Sequence, residues 1–363
     1  MQGIIATCTP GLEDVSTEEL ADFGLKGKKI DRGIISANAK LSDVFKLNYC
    51  SKSLHKIILL LSSGEFCELS ELYKATYEIA YGEFIRSEQS FAVRVSRAGK
   101  HSFTSIDAER EIGQAVIDSY KKEKGMRLKV DLDEPDVLIR CYIRENKFWL
   151  GIDTTGESLH KRGYRIYEHP APLRTSIAHC LVRLVQWRPE ESLYDPFCGS
   201  GTIPIEAALY ANKIPNYWRW KSFKLWKLGF VDTEKFMEEK ERIDAKIKSL
   251  ELKLYGSDLF RKHIEGAKRN ASNAGVSINF FQQDIKDAKF EHDIIVTNPP
   301  YGKRIGHAGK ALYANKMLEK KLAEGNWKRA VVITAEKRNL ESYSEKRQIM
   351  YGDLPAWLFL YER

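Results

Sequence analysis

The hydrophobic positions of the chain change rhythm near residue 173. Beyond it, apolar positions at helical spacing alternate with short, continuously apolar runs, which predict helices and buried strands in turn. The predicted helices are 175–186, 203–211, 263–274 and 317–323, and the predicted strands are 192–195, 252–258, 278–282, 293–297 and 330–335. This alternation, closed by a hairpin over 348–361, predicts an α/β fold with a parallel, doubly wound sheet.

The first half of the chain has a mixed α+β order. Alternating apolar and polar positions predict half-buried strands, and a paired set is expected on either side of the turn at 144–146. The predicted strands are 3–7, 34–37, 91–96, 137–143 and 147–152, with a buried apolar run at 55–61 and helices at 12–23, 68–79 and 108–122. These elements suggest small α+β modules.

Composition excludes several classes of protein. The 363 residues suffice for two or three domains, and the net charge of +8 favours an anionic partner without requiring one. Six scattered cysteines without a C-x-x-C pair argue against a zinc site or a disulfide framework and suit a reducing compartment. No apolar run is long enough to span a membrane, so we expect a cytoplasmic protein without a metal.

The stretch YDPFCGSGT, residues 194–202, runs from a predicted strand directly into a helix. Gly199 and Gly201 allow a tight turn and close approach to a ligand that faces the helix N–H groups. Pro204 stands where a dinucleotide fingerprint requires its third glycine, and no Gly-Lys-Ser/Thr follows. A glycine turn between a strand and a helix is common, so this stretch alone defines no function.

Two aspartates follow the next predicted strands. Asp258 suits the hydroxyl pair of a ribose, and Asp284 can accept from an adenine amino group. Each alone fits a turn residue equally well. Together with the glycine turn and the Asn-Pro-Pro-Tyr end of the next strand, residues 298–301, they predict a ligand site along one sheet edge.

The series DPFCGSGT, GSD, QQDI and NPPYG resembles class I S-adenosylmethionine-dependent methyltransferases that modify exocyclic amino nitrogens. The resemblance implies a Rossmann-like sheet with an antiparallel last strand, and S-adenosyl-L-methionine as cofactor. Arg174 and Asp195 would lie near its carboxylate and sulfonium end. The implied cofactor-binding residues are Arg174, Asp195, Cys198, Gly199, Ser200, Gly201, Thr202, Asp258, Asp284 and Asn298.

The Asn-Pro-Pro-Tyr end has a chemical rationale. An amine conjugated to a purine ring is a poor nucleophile, because its lone pair is delocalised. The Asn298 side-chain oxygen and the Pro299 carbonyl can accept its two N–H groups and steer the lone pair toward the methyl group. Pro299 and Pro300 make the acceptors rigid, and the Tyr301 ring can stack on an extruded base. The alternative is a turn that merely ends the strand.

The first half resembles a THUMP domain, through SFAVRVSRAGKHSFT, VDLDEPDVLIRCYI and FWLGIDTTGESLHKRGYR. MQGIIATCTPGLEDVSTEEL resembles the ferredoxin-like segment that precedes THUMP, and HPAPLRTSIA the entry helix of the methyltransferase. The expected domains are a ferredoxin-like segment 1–55, a THUMP domain 56–155, a linker 156–170 and a methyltransferase domain 171–363.

THUMP modules occur in tRNA- and rRNA-modifying enzymes, so the resemblance implies binding of structured RNA, in tRNA the 3′ acceptor end. The candidate RNA-binding residues are Arg94, Arg97, Lys100, His101, Lys161, Arg162 and Arg165. Basic side chains suit phosphates, although the same residues equally fit a solvated surface.

An insertion separates Gly201 from Asp258. Residues 215–230 interleave tryptophans with lysine and arginine, which suits either RNA binding or packing of the insertion onto the fold. The apolar positions Phe236, Ile243, Ile247 and Leu250 then predict an amphipathic helix.

These features together predict a monomeric tRNA methyltransferase that forms N2-methylguanosine. The resemblance favours guanine 6 of the acceptor stem, because related enzymes for guanine 10 carry Asp in place of Asn298. The alternatives are an rRNA guanine-N2 methyltransferase, a DNA adenine-N6 methylase and a non-catalytic RNA-binding protein.

Overall fold

The computed structural model describes residues 2–216, 221–300, 308–335, 343–352 and 354–363. Within them the helices are α1 Glu13–Asp22, α2 Leu41–Cys50, α3 Leu69–Tyr77, α4 Ser105–Lys124, α5 Thr175–Leu184, α6 Thr202–Ala211, α7 Thr233–Asp244, α8 Arg261–Ala274 and α9 Ala308–Glu324. The strands of the first half are β1 Gln2–Thr7, β2 Lys28–Asp31, β3 Ile34–Ala39, β4 Lys56–Glu65, β5 Ser90–Ala98, β6 Lys129–Val130, β7 Val137–Arg144 and β8 Lys147–Asp153. Those of the second half are β9 Leu193–Asp195, β10 Leu254–Asp258, β11 Asn279–Gln282, β12 Ile294–Thr297, β13 Arg329–Thr334, β14 Glu345–Tyr351 and β15 Leu354–Glu362.

The first half forms one continuous eight-stranded sheet in the order β2-β3-β1-β4-β8-β7-β5-β6. Strand β4 pairs with β1 on one side and with β8 on the other, both antiparallel. The expected ferredoxin-like and THUMP segments therefore share a sheet and one hydrophobic core, rather than forming separate small modules. Pairing across β4 satisfies backbone groups that two separate sheets would leave exposed at their edges.

The second half is the predicted doubly wound sheet, in the order β11-β10-β9-β12-β13-β15-β14. Strands β9 to β13 run parallel, and β15 runs antiparallel to β13, which confirms the antiparallel last strand. Strand β9 is the switch point, since β10 flanks it on one side and β12 on the other. Ligands of such sheets bind at the carboxyl ends of the strands beside this point.

Two helix predictions were inaccurate. Helix α7 ends at Asp244, so the amphipathic helix does not continue to Ile247 and Leu250, whose side chains are exposed. Helix α2 was missed, although the carboxylate of Asp43 accepts from the backbone N–H of Lys40 at 2.9 Å and helps to cap its first turn. None of the helices in the described ranges is long and apolar enough to cross a membrane.

The insertion packs against the first half of the chain. Phe223, Leu225, Leu228 and Phe236 are buried in the core of the N-terminal sheet. The Trp226 ring lies 5.7 Å from that of Phe236, which supports the packing interpretation for this tryptophan. Trp218 and Trp220 fall outside the described residues.

The β14–β15 hairpin of the second sheet docks on the segment that leads into α1. The backbone N–H of Met350 donates to the carbonyl of Pro10 at 3.0 Å, and the Arg347 guanidinium contacts the Asp14 carboxylate at 2.6 Å. Gly11 has a φ of +93°, and a Cβ there would lie 2.3 Å from the carbonyl oxygen of Gln348. Only glycine fits this contact without moving the hairpin.

We expect Gly11→Ala to destabilise the protein more than Gly24→Ala, as measured by urea unfolding. Both glycines have positive φ, but a Cβ at Gly24 would meet no atom within 4 Å. Each substitution carries the backbone cost of about 1–2 kcal/mol. The collision at Gly11 adds about 1–3 kcal/mol, the usual cost of overpacking. Equal losses of stability would show that the hairpin does not hold this contact in solution.

Candidate functional site

The predicted site residues converge at one edge of the second sheet. Strands β9, β10 and β12 are neighbours and end at Asp195, Asp258 and Thr297, respectively. Asn298 follows β12 directly, and Asp284 follows β11, the next strand outward from β10. The structure therefore brings three carboxylates and the Asn-Pro-Pro segment to the carboxyl ends of adjacent strands.

The glycine turn joins β9 to α6. Gly199 and Gly201 have φ values of +51° and +78°, and the N–H of Gly201 donates to the carbonyl of Cys198 at 2.7 Å. A Cβ at Gly201 would lie 2.7 Å from the Phe280 ring and 3.0 Å from the Cβ of Ala267. Glycine is therefore needed at position 201 for both backbone conformation and space, and the turn presents the N-terminus of α6 to the site.

The Asp258 carboxylate accepts hydrogen bonds from the glycine turn and from the loop that follows β10. One carboxylate oxygen accepts from the N–H of Gly199 at 3.2 Å, and the other accepts from the N–H of Phe260 at 2.9 Å. Asp284 accepts from the N–H of Lys286 at 3.0 Å and begins a short 3-10 turn. Both aspartates therefore serve as turn residues, and the same positions place carboxylates along the site edge.

Asp195 is buried beneath the turn. Its Oδ1 accepts from the Thr297 hydroxyl at 2.7 Å and from the N–H of Phe197 at 3.0 Å. Burial raises the pKa of Asp195 to about 7, with a further contribution from the negative charge of Asp258 and opposition from the two hydrogen bonds. Burial also raises the pKa of the Cys198 thiol, which is therefore a neutral packing group.

The side-chain oxygen of Asn298 is a candidate acceptor for a ligand. Its Oδ1 is buried and has no hydrogen-bond partner among the described residues. The carbonyl of Pro300 accepts from the Asn315 side chain at 2.8 Å, which anchors the di-proline segment to α9. A buried acceptor without a donor is costly, so this oxygen fits a ligand that brings an N–H group. Tyr301 lies outside the described residues.

These residues fit S-adenosylmethionine. The glycine turn offers backbone N–H groups, and three carboxylates stand at the same sheet edge, as a cofactor with a ribose, an amine and a cationic centre requires. The assignment of Asp258 to the ribose, Asp284 to the adenine and Asp195 to the cationic end stays a prediction. Arg174 stands at the start of α5 with its guanidinium over the Tyr351 ring, 5.8 Å from the centroid. Its predicted role at the cofactor carboxylate stays a prediction. The described residues contain no cluster of three or more histidine, cysteine or acidic side chains suited to a metal.

The segment 156–170 supplies residues that the sequence did not assign to the site. A Cβ on Gly199 would lie 3.4 Å from the His169 ring, whose centroid is 4.3 Å from that of His263 on α8. The side chain of Asn270 donates to the carbonyls of Tyr167 and Ser200 at 3.0 and 3.1 Å. The segment therefore packs over the glycine turn rather than linking two domains loosely. The only signal for this in the sequence is that the HPAPLRTSIA motif begins at His169, inside the segment.

Two of the predicted RNA-binding arginines are engaged inside the protein. The prediction for Arg162 is wrong: its side chain is buried, with Nε 3.3 Å from Oε1 of Glu206 and Nη2 donating to the carbonyl of Lys52 at 2.9 Å. Arg165 is partly buried and donates to the Thr202 hydroxyl at 3.0 Å, so it contacts and stabilises the first turn of α6. Basic residues in this segment were mistaken for surface charge because sequence does not reveal buried partners.

The other RNA-binding candidates remain at or near the surface. Lys100 is exposed, and Lys161 is exposed and paired with Glu157 at 2.8 Å. Arg97 is partly exposed and contacts His101 Nδ1 at 2.9 Å. The guanidinium of Arg94 donates to two backbone carbonyls near the end of the sheet.

Three family models match successive parts of the chain. The RlmL ferredoxin-like domain matches residues 3–58, the THUMP domain residues 67–153, and the RMKL-like methyltransferase domain residues 162–352. The last match covers more than half of the chain. It includes the glycine turn, both outer aspartates and Asn298.

Relatives that match nearly the whole chain are consistent with these family matches. The chain is 41% identical to a tRNA (guanine(6)-N2)-methyltransferase of Archaeoglobus fulgidus, over 96% of this chain and 89% of the relative. It is also 41% identical to the protein of that name from Methanocaldococcus jannaschii, over 97% and 98%. The crystal structure of a possible methylase from Clostridium difficile superposes with a TM-score of 0.90 at 27% identity, over 99% of this chain and 98% of that one.

The fold and the site thus define an S-adenosylmethionine-dependent methyltransferase. The chain belongs to the family of RMKL-like methyltransferases, here with a ferredoxin-like domain and a THUMP domain before the catalytic domain.

We expect Glu206→Gln to destabilise the protein by about 3–5 kcal/mol in urea unfolding, because it leaves the buried Arg162 charge without its counter-charge. The hydroxyl of Tyr164, which donates to Glu206 at 3.0 Å, would also lose a charged acceptor. Glu157→Gln is the matched control, since its pair with Lys161 is exposed and should change stability by about 0.5 kcal/mol or less. Similar effects from both substitutions would contradict the buried-pair assignment.

Proposed function

We propose that this protein transfers a methyl group from S-adenosylmethionine to N2 of a guanine in tRNA, at position 6 of the acceptor stem. The observation that carries the proposal is the buried Oδ1 of Asn298, which has no hydrogen-bond partner among the described residues, at the sheet edge where the predicted cofactor residues converge. An exocyclic amine supplies the N–H group that this acceptor lacks.

The choice of substrate rests on the modules and the relatives. Both archaeal relatives are named tRNA (guanine(6)-N2)-methyltransferases and match nearly the whole chain. The THUMP match favours RNA over a DNA adenine substrate. The Asn298 acceptor, which has no partner among the described residues, favours an enzyme over a non-catalytic RNA-binding protein, because a pure binding module has no need of it.

Asn298 and Pro299 hold the target amine in the proposed reaction. Their two oxygens accept the two N–H groups, which turns the nitrogen lone pair toward the cofactor pocket and stabilises the positive charge that develops there. The proline rings restrict the backbone at 299 and 300, and the Asn315 contact to the Pro300 carbonyl fixes the segment on α9. Tyr301 would stack on the extruded guanine. The bound cofactor supplies an electrophilic methyl group.

The remaining predicted residues hold the cofactor and the RNA. Gly199 to Thr202 would line the methionine part, Asp258 the ribose and Asp284 the adenine. Because one chain provides all of these groups, we expect a monomer to be active, in the cytoplasm where tRNA is used.

A cleft with an excess of arginine over acidic residues is our candidate for the 3′ acceptor end of the tRNA. Its volume is about 430 Å³, and its walls come from the N-terminal sheet and from the β14 side of the catalytic domain. Three arginines and two acids are among its lining residues, which are Pro10, Asp31, Arg32, Arg97, Ala98, Arg144, Glu145, Met350 and Gly352. Three guanidinium groups offer several N–H donors to phosphate oxygens, and Lys100 lies close in sequence to this wall.

We expect Asn298→Ala to lower the kcat for methylation of tRNA by about 100-fold or more, because a charge-stabilising acceptor is lost at the reacting nitrogen. Asn38→Ala, at an exposed position of β3, is the control and should leave kcat unchanged. Methylation is measured by mass spectrometry of digested tRNA, which also locates the methylguanosine. Wild-type activity of Asn298→Ala, or methylation of duplex DNA in preference to tRNA, would refute the proposed function.

We expect Arg32→Glu and Lys100→Glu to weaken tRNA binding severalfold with little change in kcat, since phosphate contacts position the RNA. Each lost contact should lower the slope of log Kd against log salt by about one. Lys121→Glu, on the exposed side of α4, changes the same net charge and serves as the control. A uniform effect of all three substitutions would mean that net charge, and not this cleft, attracts the RNA.

A further inference from the structure

Thr297 is a buried residue of the site for which the reaction so far provides no role. It is the last residue of β12 and directly precedes Asn298. Its side chain is fully buried, and its hydroxyl donates to Oδ1 of Asp195 at 2.7 Å. A buried threonine at the end of a strand commonly bonds its own backbone, whereas this hydroxyl reaches across to the neighbouring strand.

The hydrogen bond between Thr297 and Asp195 lies just beyond the last paired residues of β9 and β12. The backbone register of β9 and β12 pairs Leu193 with Ile294 and Tyr194 with Ile295. Beyond these pairs, the Thr297 side chain joins the strands through Asp195. The same Oδ1 accepts from the N–H of Phe197, where the chain enters the glycine turn. One oxygen atom therefore connects the strand that carries Asn298 to the loop that forms the cofactor site.

The hydrogen bond from Thr297 also affects the protonation of Asp195. Burial raises the pKa of Asp195 to about 7, and the charge of Asp258 on β10 adds to the effect. Among the described residues, the other titratable groups that interact with it are Tyr194 and Cys198, whose pKa values are raised by burial, so both are neutral. The hydroxyl of Thr297 opposes protonation, because a donor to a carboxylate stabilises its charged form.

We propose that Thr297 is a positioning residue that keeps Asp195 charged and oriented toward the cationic end of S-adenosylmethionine, while fixing Asn298 relative to the cofactor. The inference rests on the proposed position of the cofactor at Asp195 and does not depend on which RNA is methylated.

The proposal predicts how the affinity for S-adenosylmethionine changes with pH. A cation binds the ionised form of Asp195, so affinity for S-adenosylmethionine is full above the pKa of this carboxyl and falls as the pH drops through it. Loss of the Thr297 hydroxyl removes a donor to the charged form and raises that pKa. The loss of affinity should then begin at higher pH.

The test is the Kd of S-adenosylmethionine, measured by calorimetry without RNA between about pH 5.5 and 8.5. Thr297→Val should move the midpoint of the pH dependence up by about one unit, which weakens binding about tenfold on the acid side of the curve. Thr297→Ser keeps the donor and should restore most of the wild-type profile. Thr76→Val, which removes another buried threonine hydroxyl in α3, should leave the Kd unchanged.

Asp195→Asn completes the set. Because an amide does not titrate, this variant should lose the fall in affinity on the acid side of the curve. An equal weakening by Thr297→Val at every pH would reduce the bond to a structural contact and overturn the proposal. A wild-type pH profile in Asp195→Asn would overturn it as well, even if Thr297→Val does not fold. Absence of tRNA methylation with the expected calorimetric profile would instead contradict the proposed function alone.

Discussion

The arrangement of the molecule depends on a buried ion pair between Arg162 and Glu206. The arginine belongs to the segment that follows the N-terminal sheet, and the glutamate belongs to α6, which begins at the glycine turn. Both side chains are fully inaccessible to solvent. The pair is completed by the hydroxyl of Tyr164 and by a bond from Arg162 to the carbonyl of Lys52. Because buried charges require their partners, the pair holds the segment after the N-terminal sheet against α6, and the bond to Lys52 extends this contact to the N-terminal half.

Further contacts join the N-terminal half of the chain to the catalytic half. The carboxylate of Glu19 accepts from the hydroxyls of Ser51 and Ser53 and lies 3.4 Å from His179 of α5. The described part of the insertion after α6 buries Phe223 and Phe236 in the core of the N-terminal sheet. The N-terminal sheet therefore forms one wall of the cleft lined by Arg32, Arg97 and Arg144, and it also contacts the catalytic domain.

Local patterns predicted the parts of the site that lie within single elements. The glycine turn, Asp258, Asp284 and Asn298 each follow a strand, so their common edge followed from the parallel order of the sheet. Partners from distant segments were not predictable in this way. His169 faces the glycine turn and Arg165 braces α6, yet both lie in a segment that looks like a polar linker. The burial of Arg162 was missed for the same reason, since Glu206 lies 44 residues farther along the chain.

The sequence by itself determined the order of most strands and helices, the methyltransferase motifs along one sheet edge and the THUMP resemblance of the first half. Periodicity and short motifs carry this information, because they depend on residues close together in the chain. The tertiary structure alone decided that both N-terminal segments share one sheet, that the insertion packs rather than projects, and that Thr297 bonds Asp195. These features depend on contacts between residues far apart in the chain, and only the folded protein brings such residues together.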